Sequence, residues 1–398
     1  MEHQSLFIIV FSAVCYFFVN VLLKEKLSDV AYGEYSMIIT FFSMIFIYGL
    51  LGLEQGFAKY SLVVKENIIE TNEFQFKLVF ISIILVSVFS SLFLIYYYSS
   101  LSINFFLIVI ASICMSSLLF LYTLFRLNSN FVSAQLMQNG FKLILFFAVL
   151  ILLNIKRFYD NEIVLILLGS IIITFLIGLF KIKKIKIRFV DKVSKRTVII
   201  SGIFFLVSTA TFSLINFADR YLIEYKFGLK VVGDYFYLFN VFLAPFSILQ
   251  GYIGFKKLTH YKNSFSVLDF KKNNNKSLTY GFLLSVLLLI FYFLIIKVKI
   301  VTFDFLIYRN TVFLLLILGI LKIYSAGIYP AFDVIIDVKN LIKAKTIILI
   351  ISLSILIIAF FFAQSIELII VSLIIIWFLK TSIMSWFLIY QEKNKNFE

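Results

Sequence analysis

The sequence predicts an all-α integral membrane protein of twelve spanning helices, and three observations carry that prediction. Hydrophobic residues make up 62% of the chain, with 50 phenylalanines and a mean hydropathy of +1.04, far outside the range of soluble globular proteins. Apolar runs of about 20 residues recur from end to end, and at about 1.5 Å per residue such a run crosses a hydrocarbon core of about 30 Å. The runs are continuous and lack the period-2 alternation of a barrel, so each segment must satisfy its own backbone, as a helix does.

Taken in order, the spans are predicted at about 5 to 23, 37 to 57, 78 to 98, 102 to 124, 141 to 155, 163 to 180, 197 to 217, 236 to 255, 277 to 296, 311 to 330, 346 to 363 and 368 to 390. The first is expected to be a retained helix rather than a cleaved signal, since no basic segment precedes it and "KEKLSDV" follows it. The fifth, Phe141 to Ile155, is the shortest. Cys15 and Cys114 fall inside spans and read as small buried apolar residues, without a disulfide or metal role. In the eighth, Pro245 followed by Gly251 and Gly254 predicts a bend. Asn20, Asn240 and Gln250 are expected to face a cleft or to bond between helices.

The net charge of +15 is explained by placement. Twenty-four of the 36 basic residues lie in one set of alternate loops and ten in the other, with Lys322 and Lys380 inside spans. The positive-inside rule then puts both termini in the cytoplasm and requires an even number of spans. These residues are topology signals; the interleaved aromatic platforms of a nucleic-acid module are missing from the loops.

The longest basic loop, "KIKKIKIRFVDKVSKR" at 181–196, divides the chain into a six-helix half at 1–180 and another at 197–398. Setting residue n against n + 200 aligns Gly33-Glu34-Tyr35 with Gly233-Asp234-Tyr235, each after the first span of its half. Two halves with the same even number of spans are parallel repeats around a cleft, and rocking of such halves exposes a site to alternate sides. The two glycines are expected to stop a helix at positive φ, the acids to begin the next one, and Tyr35 and Tyr235 to sit at the membrane interface.

The Gly33-Glu34-Tyr35 stretch, the segment "GLLGLEQGFAKY" from Gly49 to Tyr60, and Asp219-Arg220 ahead of Gly233-Asp234-Tyr235 carry a resemblance. The chain resembles the Wzx-type polysaccharide flippases of the multidrug/oligosaccharidyl-lipid/polysaccharide superfamily. That resemblance implies a MATE-like fold and the movement of undecaprenyl-diphosphate-linked O-antigen or capsule repeat units across the inner membrane, with other polysaccharide-assembly membrane proteins as partners.

Ionisable residues within the spans nominate a site, because a charge at mid-bilayer costs about 2.5 to 3.5 kcal/mol on insertion scales unless it faces a cavity or a partner. Lys322 and Lys380 are the deepest, with no acid three or four residues away on the same helix. Positive groups suit a diphosphate, whereas an exporter of cationic drugs is expected to place acids there. Lys142 and Arg126, near the cytoplasmic end of the first half, are placed to meet a diphosphate headgroup, although their position also satisfies the positive-inside rule. Asn216, Arg220 and Glu224 are spaced i, i+4, i+8 with Asp219 beside them, a polar strip that suits a gate or a helix-end salt bridge. Glu54, five residues before Lys59, reads as an interfacial carboxylate in preference to a gate or coupling group.

Two other classes remain as alternatives, a drug/cation antiporter of the same superfamily and a polysaccharide polymerase-type membrane enzyme. The enzyme is disfavoured. His3 and His260 stand apart, and CxxC, HExxH and Gly-rich phosphate loops are missing from the sequence, so no cofactor or metal is expected.

Overall fold

A computed structural model describes residues 2–65, 67–98, 104–154, 160–190, 193–263, 265–298 and 302–395. Lys156, Arg157, Lys192 and Lys299, counted above as loop cations, lie outside the described residues, as do the side chains of His3, Lys65, His260, Lys262, Lys339, Lys393 and Lys395. The chain divides into two compact units, Met1–Ser213 and Leu214–Glu398.

Unit 1 contains α1 (Glu2–Lys26), α2 (Asp29–Tyr48), α3 (Leu53–Tyr60), α4 (Glu73–Tyr97), α5 (Phe105–Leu127), α6 (Phe131–Asn154) and α7 (Asp160–Ile182). It also holds the first half of α8 (Lys195–Leu238). Helix α5 is the hub, packed against α2, α4, α6 and α7, while α1 lies along α6. Side-chain caps fix the starts: Ser28 accepts from the Ala31 amide, Asn72 from those of Phe74 and Gln75, and Asn104 from that of Phe106. Between α2 and α3 the chain turns through Leu51 at φ 52° and Gly52 at φ 79°. A Cβ on Gly52 would lie 2.5 Å from the carbonyl carbon of Phe205 in α8, so both the conformation and the close approach require glycine.

A small sheet joins the ends of these helices. Strand β1 (Leu62–Lys65) pairs antiparallel with β2 (Ile68–Thr71), which pairs in parallel with β3 (Lys186–Phe189). The Asn72 amide donates to the Val193 carbonyl at 3.0 Å, so the basic segment 181–196 is tied to the end of β2.

Unit 2 contains the remainder of α8, a π-helical turn at Phe239–Leu243, and α9 (Ala244–Asn263), α10 (Val267–Val298), α11 (Arg309–Ser325), α12 (Ile328–Ile335), α13 (Val338–Phe362) and α14 (Ile366–Lys395). Here α11 is central, against α9, α10 and α14. The π turn ends two residues before Pro245, whose missing N–H disturbs the i→i−4 ladder. Pro330 is tolerated in the first turn of α12, where its amide would be unpaired anyway.

Among the described residues, eleven rather than twelve separate helical stretches are long and apolar enough to cross a membrane. The physical reason is that the predicted seventh and eighth spans run on as one 60-residue stretch, Lys195–Gly254, interrupted only at Gly228 with φ 83° and ψ 176°. At about 1.5 Å per residue such a stretch is long enough to cross a 30 Å core twice. The fifth span is longer than predicted, Phe131–Leu153, because Ser133, Gln135, Gln138 and Asn139 belong to the helix.

The Gly-acid-Tyr turns are corrected. Gly33 lies within α2 and Gly233 within α8, and among the described glycines only Gly52 and Gly228 have positive φ. Tyr35 and Tyr235 are fully buried within the protein. The helix start that the motif was expected to mark lies a few residues earlier, at the Ser28 cap.

Candidate functional site

The most buried cations of unit 2 form a connected row. Arg220 on α8, Lys322 on α11 and Lys380 on α14 are only 6%, 5% and 3% exposed. Aromatic rings alternate with them. The Arg220 guanidinium lies 4.5 Å from the Phe239 ring centroid, and the Lys322 ammonium 5.5 Å from the same ring. Lys322 is also 5.3 Å from the Trp377 ring, which Lys380 approaches at 4.7 Å from its own position, and Lys380 reaches the Tyr329 ring at 4.4 Å. The faces of Phe239 and Trp377 therefore each serve two cations. A ring quadrupole attracts a cation by about 0.5 to 2 kcal/mol, more when water is excluded, so shared rings offset part of the like-charge repulsion.

Local spacing builds this row. Trp377 and Lys380 are three residues apart on α14 and therefore on one face. Phe239 occupies the first position of the π turn, and Phe217 and Phe236 complete the ring set around Arg220 at 5.4 and 5.1 Å. Ser247 on α9 contacts the Lys322 ammonium at 3.5 Å.

Asp219 is buried beside Arg220 and accepts a 2.5 Å hydrogen bond from the Tyr235 hydroxyl. Its second oxygen, Oδ1, is buried without a hydrogen-bond partner among the described residues. Asp234 is buried as well and accepts from the Tyr308 hydroxyl at 2.6 Å. The second Gly-acid-Tyr thus holds two polar contacts that fasten α8 to itself and to the segment before α11. Asn216 and Glu224 are half-buried one turn to either side of Arg220, on the face that the i, i+4, i+8 spacing requires.

A different surface of α11 and α14 is wholly apolar. Ile317, Ile320, Leu321, Ile374, Ile375 and Phe378, with Leu379, line a groove of about 390 Å³. At about 100° per residue these positions lie nearly opposite Lys322 and Lys380 on their helices. The helix pair carries cations on one side and an apolar groove on the other.

The remaining predicted residues belong to unit 1. Lys142 on α6 is half-buried and donates to the Asn139 side-chain oxygen Oδ1 at 3.0 Å, with the Tyr16 ring of α1 at 5.6 Å. Asn139 in turn donates to Gln135 at 3.1 Å, giving a polar ladder along one face of α6. Arg126 is exposed in the last turn of α5, where a cation complements the helix dipole. Glu54 is half-buried in the first turn of α3, which favours an anion, and its Oε2 has no hydrogen-bond partner among the described residues. Its neighbour Gln55 donates to Thr209 at 3.3 Å.

Cys15 and Cys114 are buried free thiols, as their positions predicted. Asn20 accepts from the Tyr32 hydroxyl at 3.2 Å and Gln250 donates to Ser325 at 3.0 Å, so both bond between helices. Among the described residues no group of three or more His, Cys, Asp and Glu is placed to hold a metal ion.

No family model matches the sequence, and no curated protein matches it. Solved structures do match in fold. A lipid II flippase, MurJ, in an inward closed conformation aligns with a TM-score of 0.67 and 15% identity, covering 97% of this chain and 87% of that one. A multidrug resistance transporter of the MATE family and MOP superfamily, in an inward-facing conformation, aligns with a TM-score of 0.55 and 11% identity, covering 96% and 95%. At these identities the likeness is one of fold.

Proposed function

We propose that the protein is a transporter that flips an anionic, lipid-linked oligosaccharide across the membrane by alternating access. The observation that carries this reading is the row of three buried cations spaced by rings, with an apolar groove on the opposite surface of the same two helices. An undecaprenyl-diphosphate-linked repeat unit has both matching parts: a diphosphate that cations hold by charge-assisted hydrogen bonds, and a polyprenyl chain that prefers an apolar channel. The fold shared with a lipid II flippase supports the same reading.

Each residue then has a role. Lys322 and Lys380 hold the diphosphate, and Lys142 with Arg126 meets it in the first half. Asp219, Arg220, Asn216 and Glu224 form a polar strip that fixes the outer end of the row. Glu54 stands at the α2–α3 break as an interfacial carboxylate. The charge pattern of the loops supports a multi-pass inner-membrane protein with both termini cytoplasmic, serving O-antigen or capsule assembly.

The fold shared with a multidrug transporter keeps a cation antiporter as the second reading. Three buried cations against the one buried acid beside them, Asp219, disfavour it, since a cationic drug entering that row meets a net like charge. The test is a deletion strain scored for the face on which lipid-linked repeat units accumulate. Build-up on the cytoplasmic face, restored to normal by the wild-type gene, is the expected result. Normal distribution of repeat units together with lost efflux of cationic dyes would transfer the assignment to the antiporter.

A further inference from the structure

The sheet of unit 1 has no part in the transport reading, yet its surface is unusual. Leu62, Val63 and Val64 in β1 are 51%, 43% and 52% exposed. Successive strand residues point to opposite faces, so both faces of this edge strand are apolar and bare. In water an edge of that kind is a template for aggregation.

A groove continues the apolar surface. Phe189 of β3, itself 48% exposed, packs 5.4 Å from the Phe76 ring of α4. With Phe80, Ile81, Glu73 and Lys77 they line a groove of about 480 Å³. These residues belong to the first turns of a spanning helix, so the groove opens where that helix leaves the hydrocarbon. The surroundings are basic. Segments 59–77 and 181–196 together hold eleven Lys and Arg against four Asp and Glu. Glu70 is engaged by Arg188 at 3.5 Å and Glu73 by Lys77 at 2.7 Å, while Lys181, Lys183, Lys184 and Lys186 are exposed.

We propose that this sheet is an interfacial docking element for anionic phospholipid: the Phe76–Phe80–Phe189 groove receives the upper part of an acyl chain, and Lys186 of β3 with Lys183 and Lys184 just before it meets the headgroup phosphate. Charge complementarity and position select this occupant. A leaflet surface rich in anionic lipid attracts clustered lysines, and apolar side chains at that depth are buried among headgroups. The lipid covers β1 without a protein partner.

The test uses the full chain in nanodiscs of phosphatidylcholine alone or with about 30% phosphatidylglycerol, an anionic fraction large enough to set the surface potential. Val64→Cys is labelled with an environment-sensitive fluorophore, the two native thiols being buried. Blue-shifted emission, quenched by lipids carrying a shallow nitroxide and stronger with phosphatidylglycerol, is expected. K183Q/K184Q/K186Q should lower phosphatidylglycerol retained after purification by about fivefold or more, and Phe189→Ser should lower it too, with the melting temperature unchanged. Water-like emission in both bilayers, equal shielding in detergent without lipid, or unchanged retention in the lysine variant would each overturn the proposal.

Discussion

Lys322→Met separates a structural role for the buried row from a transport role. The lysine makes two ring contacts, at 5.5 Å to Phe239 and 5.3 Å to Trp377, and one long contact to Ser247 at 3.5 Å. Each desolvated ring contact is worth about 1 to 2 kcal/mol, so about 2 to 4 kcal/mol is lost with the charge. Against that, a methionine of similar length removes the mid-membrane cost of an ammonium, about 2.5 to 3.5 kcal/mol, and the repulsion from Arg220 and Lys380. The two sides nearly cancel. Stability should change by about 1 kcal/mol or less, while loss of one charge-assisted bond to a phosphate, about 1.5 to 3 kcal/mol, lowers substrate affinity by about 10- to 150-fold. Thermal melting in detergent reports the first quantity, and surface polysaccharide at matched protein level reports the second. A variant that melts far below wild type, or one that exports at the wild-type rate, would refute the reasoning.

Four more outcomes follow from the same contacts. Tyr235→Phe leaves Asp219, buried with one oxygen already unpartnered among the described residues, without its 2.5 Å donor; a melting shift equivalent to about 1.5 to 3 kcal/mol is expected, the cost of a lost hydrogen bond to a charged group. Tyr308→Phe removes the donor to Asp234 and should cost a similar amount by the same measurement. Gly52→Ala forces a Cβ to 2.5 Å from the Phe205 carbonyl carbon at a φ of 79°, whereas Gly228→Ala, at φ 83°, meets open space. Strain at positive φ alone costs about 1 to 3 kcal/mol, so Gly52→Ala should reduce folded protein in the membrane well beyond Gly228→Ala. Trp377→Leu strips the ring between Lys322 and Lys380 and should lower transport and stability together, unlike Lys322→Met.

Much of the fold was legible because the bilayer imposes its own thickness on the chain. Apolar run length located the helices, and intramembrane charge located Lys322 and Lys380. What composition could not supply was connectivity at the ends. The seventh and eighth predicted spans run together because charged and polar residues from Asp219 to Lys226 continue the helix as far as Gly228 and Lys230 lies in the helix that resumes beyond it. A Gly-acid-Tyr string reads as a turn, yet Gly33 and Gly233 adopt helical φ once Tyr35 and Tyr235 are drawn into the interior. A fully exposed tyrosine at either position would have suited the turn; burial of the ring overrides the local preference. The partners of the lysines were hidden for a related reason. Phe239 and Trp377 are two of a large set of aromatic residues in the chain, and only assembly of α8, α11 and α14 singles them out. The i, i+3 spacing of Trp377 and Lys380 was the one signal available beforehand. The sheet was missed because its strands are four residues long and β3 lies in a segment read as a basic linker.

The most direct measurement is flipping itself. Purified protein in proteoliposomes, supplied with a fluorescent undecaprenyl-diphosphate-linked oligosaccharide in one leaflet, is assayed for the fraction that becomes accessible to a membrane-impermeant quencher on the other side. Wild-type protein should move the lipid to the second leaflet, and Lys322→Met with Lys380→Met should slow it by at least tenfold at equal protein, each lost charge contact being worth about 1.4 kcal/mol or more. Equal rates for wild type, the double variant and empty liposomes would contradict the assignment of this chain as a lipid-linked saccharide flippase.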